Sequence, residues 1–184
     1  MQFETFAISG PALITPTRHG DARGWFMEAF KLSWFLENID DVAFVQDNQS
    51  LSAEVGTIRG LHYQSAPFGQ GKLVRCLKGT IFDVAVDIRP GSDTFGQWVG
   101  AELSAENYRQ LWVPDGFAHG FCTLTPDCEV FYKTTNPYAP ANDCGLAYDD
   151  PEIAIEWPID MAKAILSAKD MRQPSLAALR ETQA

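Results

Sequence analysis

The sequence predicts an all-β jelly-roll barrel with a few short peripheral helices, and three features support this fold class. Turn signals recur at the intervals typical of antiparallel sheets, among them Pro90-Gly91-Ser92-Asp93, Pro114-Asp115-Gly116 and Asn136-Pro137. Residues 80–89 alternate between two side-chain faces, as in a β-strand. Helical signals are few and short. Many short strands with few helices are typical of a sandwich or a barrel, and of these we expect a jelly roll.

The clearest strand is the one predicted over residues 80–89. One face carries Phe82, Val84, Val86 and Ile88, and the other carries Asp83, Asp87 and Arg89. Lys78-Gly79, just before it, predicts a hairpin that joins this strand to a preceding strand over residues 72–77.

Two short helices are predicted at the periphery. Residues 32–38 are expected to form two helical turns, and Ser175 is expected to cap a last helix that carries Leu176 and Leu179. Exposed edge strands of a jelly roll favour dimerisation by strand exchange or sheet extension, so a homodimer is expected.

Composition limits the class of protein. A length of 184 residues, without repeats or linkers, predicts a single domain over residues 1–184. The formal net charge of -10 argues against a nucleic acid or an anionic membrane as the main partner. The chain shows no secretory signal and no apolar run of membrane-spanning length. Its four cysteines contain no C-x-x-C pair, which predicts reduced thiols in a cytoplasmic protein rather than disulfides or a zinc site.

The most informative segment is Arg59-Gly60-Leu61-His62-Tyr63-Gln64, followed closely by Gln70-Gly71-Lys72-Leu73-Val74-Arg75. Cations, an imidazole and amides cluster here within predicted strands, whereas strands usually alternate apolar and polar residues. This cluster predicts an anionic ligand, small enough for a local patch, held beside a titratable base.

The chain has three histidines, and they do not suggest a metal site. His62 and His119 each lie close to a glycine, where the backbone can bend or be closely approached, and His19 is expected at the surface. There is no His-x-His pair, and the nearby cations Arg59 and Lys72 would repel a divalent ion. We therefore expect neither a metal nor a redox cofactor.

A tyrosine is a candidate partner for His62. Residues 128–134 alternate, so Tyr132 brings a phenol into the barrel if the face of Val130 is interior. The alternative is a core tyrosine whose hydroxyl bonds to the backbone. Arg59 and His62 would point to opposite faces of a regular strand, so both can line one site only if Gly60 marks a bulge.

Seven segments together resemble one enzyme family. They are residues 21–28, 46–50, 59–64, 72–75, 82–89, 114–121 and 166–170. In these segments the chain resembles the dTDP-4-dehydrorhamnose 3,5-epimerases, and the similarity extends from about Pro16 to Pro174. The resemblance implies a metal-independent cupin jelly roll, normally a homodimer. Its substrate would be dTDP-4-dehydro-6-deoxy-D-glucose, whose C3 and C5 protons are acidified by the C4 carbonyl.

The resemblance also implies catalytic roles. His62 would remove a proton and be oriented by Asp170, whose carboxylate fixes the tautomer and favours the imidazolium; Asp83 is the alternative partner. Lys72 would stabilise the enolate oxygen, and Tyr132 would return a proton from the opposite face.

The binding residues implied by the resemblance form a larger set. They are Arg23, Phe26, Glu28, Gln46, Asp47, Asn48, Arg59, Lys72, His119, Tyr138, Asp143 and Lys169. Arginines suit the diphosphate through forked hydrogen bonds. Tyr138 matches the position whose ring stacks on thymine, Asp143 replaces the usual Glu, and Tyr148 replaces a usual Trp.

Two other functions remain open from the sequence. A C3-only or C5-only epimerase, or a ketoisomerase, of another dTDP-deoxysugar pathway would share most of these motifs. A noncatalytic nucleotide-sugar binding module is the alternative from another class, although it would need no opposed acid and base. The sequence also leaves open whether Arg23 or Glu28 reaches the site of a neighbouring subunit.

Overall fold

Antiparallel strands form most of the protein in the computed structural model, which describes residues 1–183. The strands are β1 (Gln2–Thr5), β2 (Ala12–Thr15), β3 (Arg18–Asp21), β4 (Gly24–Met27), β5 (Gln46–Ser52), β6 (Ile58–Gln64), β7 (Lys72–Lys78), β8 (Thr80–Asp87), β9 (Trp98–Ser104), β10 (Gln110–Val113), β11 (Phe117–Thr123), β12 (Cys128–Thr134) and β13 (Asp143–Gly145). The α-helices are α1 (Leu32–Asn38) and α2 (Leu176–Gln183), and 3-10 turns cover Pro140–Asn142, Met161–Lys163 and Asp170–Arg172.

The strands form two main sheets and a separate hairpin. The six-stranded sheet has the order β1-β2-β10-β7-β12-β5, the five-stranded sheet has the order β13-β6-β11-β8-β9, and β3 pairs with β4. Apolar side chains from both main sheets meet in one buried cluster that includes Val74, Leu111 and Val130 from one sheet and Ile81 and Leu103 from the other. The predicted all-β jelly roll is confirmed.

Strand β8 is buried on both faces. Ile81 and Ala85 belong to the cluster between the sheets, and Asp83 and Asp87 share their direction, each with no exposed surface. Val84 and Val86 point the other way and pack in a second cluster. The predicted alternation is confirmed, and its polar face lies inside the barrel.

The hairpin predicted at Lys78-Gly79 is wrong. These residues do connect β7 to β8, but β7 pairs with β10 and β12, whereas β8 pairs with β9 and β11. Gly79 has a φ of 77°, and the chain passes there from one sheet to the other. Because the interior faces of both strands must meet across the core, crossing between sheets buries them better than pairing side by side would.

Both predicted helices are confirmed. Phe35 of α1 is buried, with its ring 5.2 Å from that of Trp112. At α2, the Ala178 amide donates to the Ser175 hydroxyl at 3.2 Å, and Leu176 and Leu179 are buried in the second cluster. No helix within residues 1–183 is long and apolar enough to cross a membrane.

Candidate active site

A cavity of about 140 Å³ is lined by six of the twelve ionisable site residues named from the sequence. Its lining residues are His62, Tyr63, Gln64, Gln70, Lys72, Tyr132, Tyr138, Asp143 and Lys169. Strands β6 and β13 of one sheet and β7 and β12 of the other contribute to it. Three larger surface depressions, of about 270, 350 and 450 Å³, each contain at most one ion pair, so the smaller cavity has the densest cluster of ionisable side chains.

A bulge in β6 orients the residues of this wall. His62 pairs with His119 of β11, whereas Arg59 pairs with Phe121, so the register shifts by one residue between them. Gly60 lies at the shift with a φ of 137°, and a Cβ there would lie 2.5 Å from the Gly120 Cα. The bulge that the sequence analysis required if Arg59 and His62 were to share one side is present at Gly60, and it turns both residues toward the same side.

The bulge explains where the Arg59 guanidinium goes. It donates to the Ser52 hydroxyl and the Leu51 carbonyl, both at 3.0 Å, on edge strand β5 of the opposite sheet. Arg59 therefore lies beside the cavity rather than among the residues that line it.

His62 hydrogen-bonds to a buried carboxylate. Its Nε2 lies 2.6 Å from Asp170 Oδ1, and the Ser167 hydroxyl donates to Asp170 Oδ2 at 2.8 Å. The other candidate partner, Asp83, bonds instead to His119 Nε2 at 2.8 Å. Of the two carboxylates considered from the sequence, Asp170 is the one next to His62. When His62 is neutral, Nε2 donates to Asp170, which leaves Nδ1 as the basic nitrogen.

Burial lowers the pKa of His62. Loss of water around the ring is the largest cause, Asp170 raises the pKa, and Lys72 and Lys169 lower it further. The expectation that Asp170 favours the imidazolium is therefore correct for that pair alone and is outweighed by the surroundings. At neutral pH the ring is mainly neutral and able to accept a proton.

Lys72 is a buried cation next to His62. Its Nζ donates to the His62 carbonyl oxygen at 3.1 Å. Burial lowers the pKa of Lys72 to about 8, while Asp83 and Asp143 raise it and Lys169 lowers it. The side chain is therefore mostly protonated at neutral pH and presents an ammonium group to the cavity.

Tyr132 lines the cavity from the opposite sheet, on β12. Burial raises the pKa of its hydroxyl, an effect that Arg59 opposes and Asp143 reinforces. Within residues 1–183 that hydroxyl has no hydrogen-bond partner, unlike a core tyrosine bonded to the backbone. The phenol is thus a protonated donor that faces open space.

The mouth of the cavity is organised around one carboxylate. Asp143 Oδ2 accepts from the Tyr138 hydroxyl at 2.9 Å and from Lys169 Nζ at 2.5 Å. Burial would raise the pKa of Asp143, but these two hydrogen bonds, together with the charge of Lys169 and a smaller contribution from His62, lower it overall. The Tyr138 ring is 55% exposed and lies free to stack on a ligand.

Edge strand β5 places its three predicted residues on two faces. Gln46 donates to Asn48 at 2.8 Å, and its oxygen accepts from the Tyr138 amide at 3.0 Å. Asp47 points to the other face and pairs with Lys133 at 2.9 Å. Gln46 and Asn48 thus flank the mouth, whereas Asp47 does not.

Three predicted residues lie elsewhere in this chain. Arg23 and Phe26 belong to the exposed β3–β4 hairpin and Glu28 follows it, all outside the set that lines the cavity. Arg23 pairs with Asp21 at 2.5 Å, and Phe26 is 71% exposed. His119, in contrast, is buried on the interior face of β11, outside the set that lines the cavity.

Sequence reasoning assigned no role to three lining residues, Tyr63, Gln64 and Gln70. The side-chain amides of Gln64 and Gln70 bond to the backbone around the cavity. Gln64 donates to the Phe68 carbonyl at 2.6 Å, and Gln70 donates to the Asn136 carbonyl at 2.6 Å. Their place in the polar cluster was a signal, but residue type alone gave no reason to choose them. Within residues 1–183, no group of three or more His, Cys, Asp or Glu side chains is arranged to hold a metal ion.

Comparison with known proteins agrees with this geometry. The family model described as dTDP-4-dehydrorhamnose 3,5-epimerase matches residues 5–178. The chain belongs to this family. The resemblance noted from sequence segments is thereby confirmed.

Relatives of known name support the same assignment. The dTDP-4-dehydrorhamnose 3,5-epimerase of Sinorhizobium fredii is 56% identical over 97% of this chain and 91% of its own length. A crystal structure of dTDP-6-deoxy-D-glucose-3,5-epimerase from Legionella pneumophila, in complex with dTDP-4-keto-L-rhamnose, superposes with a TM-score of 0.93. It is 44% identical, covering 99% of this chain and 96% of that one. The dTDP-4-dehydrorhamnose 3-epimerase of Streptomyces niveus is 36% identical over 98% of this chain and 86% of its own length.

Proposed function

We propose that the protein inverts C3 and C5 of dTDP-4-dehydro-6-deoxy-D-glucose to give dTDP-4-dehydro-L-rhamnose, a step of dTDP-L-rhamnose biosynthesis. One observation carries the proposal: a neutral imidazole and a protonated phenol line one cavity from opposite sheets, with a buried ammonium group beside them. Inversion of a carbon needs a base on one face of the sugar ring and an acid on the other.

His62 is the proposed base. Its Nδ1 takes the proton from C3 or C5, and the electron pair of the broken C–H bond moves onto the C4 carbonyl oxygen to form an enolate. Asp170, at 2.6 Å from Nε2, holds the ring in place and stabilises the imidazolium that forms.

Lys72 is the proposed enolate stabiliser. An ammonium ion in a water-poor cavity interacts strongly with an oxygen on which negative charge develops. Its anchor on the His62 carbonyl oxygen keeps that charge next to the base.

Tyr132 is the proposed proton donor. Its hydroxyl proton is transferred to the carbon from the side opposite His62, and the carbon configuration is thereby inverted. His62 then returns its proton to solvent and Tyr132 takes one up, so protons balance and both groups are reset for the second carbon.

The nucleotide is proposed to bind at the mouth of the cavity. The exposed ring of Tyr138 would stack on thymine, while Lys169 and Arg59 would hold the diphosphate. Gln46 and Asn48 would bond to the ligand from the edge strand, and His119 would contribute from the interior face of β11. Asp143 would position Lys169 and Tyr138 through the bonds they donate to it.

The protein is proposed to act as a cytoplasmic homodimer without metal or redox cofactor, nucleic-acid partner or membrane partner. Arg23, Phe26 and Glu28 do not line the cavity of their own chain, yet they match binding positions of the family. A partner subunit whose β3–β4 hairpin lies over the mouth would bring them to the ligand. Trp25 and Phe26, 53% and 71% exposed, are the apolar surface that such a contact would bury.

A C3-only epimerase is the second candidate, because one relative carries that name. Its identity of 36% is well below the 56% of the 3,5-epimerase relative, which favours inversion at both carbons. A noncatalytic binding module is disfavoured, since ligand binding alone needs no neutral base opposite a phenol.

Turnover in D₂O tests the proposal. We expect deuterium at both C3 and C5 of the product, and mass spectrometry and NMR measure its content and position. His62→Asn should abolish the exchange of the C3 and C5 protons with solvent, because the base is lost. Tyr132→Phe should affect inversion of the carbons more than this exchange, because only the proton donor on the other face is lost. Deuterium at one carbon alone would identify a mono-epimerase, and its absence from both would refute epimerisation.

A further inference from the structure

Asp83 is a buried carboxylate for which the mechanism above has no use. It lies on the interior face of β8 with no exposed surface. Its Oδ1 accepts from His119 Nε2 at 2.8 Å, and its Oδ2 is buried without a hydrogen-bond partner within residues 1–183. A carboxylate buried with half of its acceptors unused costs stability, which points to a role other than holding the fold together.

Its neighbours lie next to the cavity wall. His119, its hydrogen-bond partner, pairs directly with His62 across β11 and β6, so the two imidazoles are adjacent on one sheet. Two histidine–carboxylate pairs, His62–Asp170 and His119–Asp83, therefore stand side by side. Lys72 projects into the same region from the facing sheet and bonds to the His62 carbonyl oxygen.

We propose that Asp83 is a positioning residue of the reaction, whose carboxylate orients His119 beside His62 and keeps the Lys72 ammonium charged to stabilise the enolate. This inference rests on the proposed epimerase function. It assigns to the buried Asp83 carboxylate the role of keeping Lys72, the proposed enolate stabiliser, in its charged form. With Nε2 donating to Asp83, the neutral His119 ring is held as one tautomer, with Nδ1 unprotonated.

The balance of charges around Lys72 supports the proposal. Burial favours loss of its proton, and the pKa of about 8 reflects opposing effects in which Asp83 acts more strongly than Asp143, while Lys169 acts against both. The other ionisable groups that line this cavity are His62, Tyr63, Tyr132 and Tyr138. Asp83 is thus the main negative charge that keeps Lys72 protonated at neutral pH.

Asp83→Asn is the test, because the amide keeps the shape and an acceptor for His119 but removes the charge. In the dependence of kcat on pH, the fall in activity at alkaline pH (the alkaline limb), where Lys72 loses its proton, should move to lower pH by about one unit or more. Asp87→Asn is the matched control, since Asp87 lies on the same strand and is equally buried, but is bonded to Arg89, Ser92 and Thr94. It should lower the melting temperature and leave the alkaline limb in place.

An unchanged alkaline limb in Asp83→Asn would overturn the inference while deuterium uptake by the unsubstituted enzyme still supported the epimerase. If Asp83→Asn does not fold, ¹⁵N NMR of the unsubstituted protein tests the inference through the tautomer of His119. We expect the His119 ring to be protonated at Nε2, and a ring protonated at Nδ1 alone would overturn the assignment.

Discussion

His62, Lys72 and Tyr132 have pKa values displaced from their ordinary range, mainly because the cavity excludes water. Burial disfavours charge on each group, so it lowers the pKa of the imidazole and of the ammonium and raises that of the phenol. The same physical cause therefore gives a neutral base and a neutral acid at one pH. The proposed reaction needs that combination.

A bell-shaped dependence of kcat/KM on pH follows from these shifts. Activity should fall as pH drops through the lowered pKa of His62, below its ordinary value of 6.5, because the imidazolium cannot accept a proton. It should also fall as pH rises through about 8, where Lys72 loses its charge. Tyr132, whose pKa is raised above 10, should not contribute to that limb. Initial rates across the pH range check this.

The Asp170→Asn variant tests whether His62 causes the fall in activity at acid pH, the acid limb of the pH dependence. The carboxylate raises the pKa of His62, so its removal should move the acid limb to still lower pH. Loss of the oriented base should lower kcat by about 10²–10⁴-fold. An acid limb that stays in place, or moves to higher pH, would show that another group titrates there.

At the scale of single elements, β6 depends on its bulge. Gly60 and Gly120 face each other where the register of β6 on β11 shifts, so neither position has room for a side chain. The shift decides which way His62 and Arg59 point. One glycine thus links backbone geometry to the direction of the proposed base.

Gly60→Ala should destabilise the protein by about 2 kcal/mol or more, because the φ of 137° disfavours a side chain and the Cβ would collide with Gly120. Gly24→Ala is the matched control, since its φ is 131° and its Cβ would meet nothing within 4 Å. Denaturant unfolding of both variants measures the difference. Equal losses of unfolding free energy would mean that the close packing at the bulge is unimportant.

At the scale of the whole molecule, one chain does not gather all the proposed ligand contacts. The cavity lies between the two sheets, whereas the β3–β4 hairpin projects with exposed aromatic rings. A dimer in which each hairpin serves the other subunit's cavity explains both facts. Such exchange makes the two sites of a dimer depend on each other.

Mixed dimers test this dependence. Arg23→Ala and His62→Asn should each be nearly inactive alone. If Arg23 acts on the partner's cavity, a heterodimer keeps one intact site, so random reassortment should restore roughly a quarter of wild-type activity. Unfolding and refolding the two variants together, followed by the epimerase assay, provides the measurement. Arg23→Ala mixed with Glu28→Ala is the control and should restore nothing, because both changes affect one hairpin.

The sequence by itself determined the local structure. The alternation of the predicted strand over residues 80–89, which in the structure ends at Asp87, the two turns of α1 and the Ser175 cap of α2 all depend on neighbouring residues, and all are present. The polar cluster around His62 also marked the right part of the chain. Its family motifs identified the enzyme class that the comparisons then showed.

Only the tertiary structure decided which distant residues meet. The period of a strand sets the direction of its side chains but not the strand with which it pairs, so the crossing at Lys78-Gly79 was mistaken for a hairpin. For the same reason, the sequence could not decide whether Asp170 or Asp83 bonds to His62. Asp170 follows His62 by 108 residues and Asp83 follows it by 21. Nor could it show that the β3–β4 hairpin lies away from its own cavity. Such contacts depend on how the two sheets pack, and local patterns do not encode that arrangement.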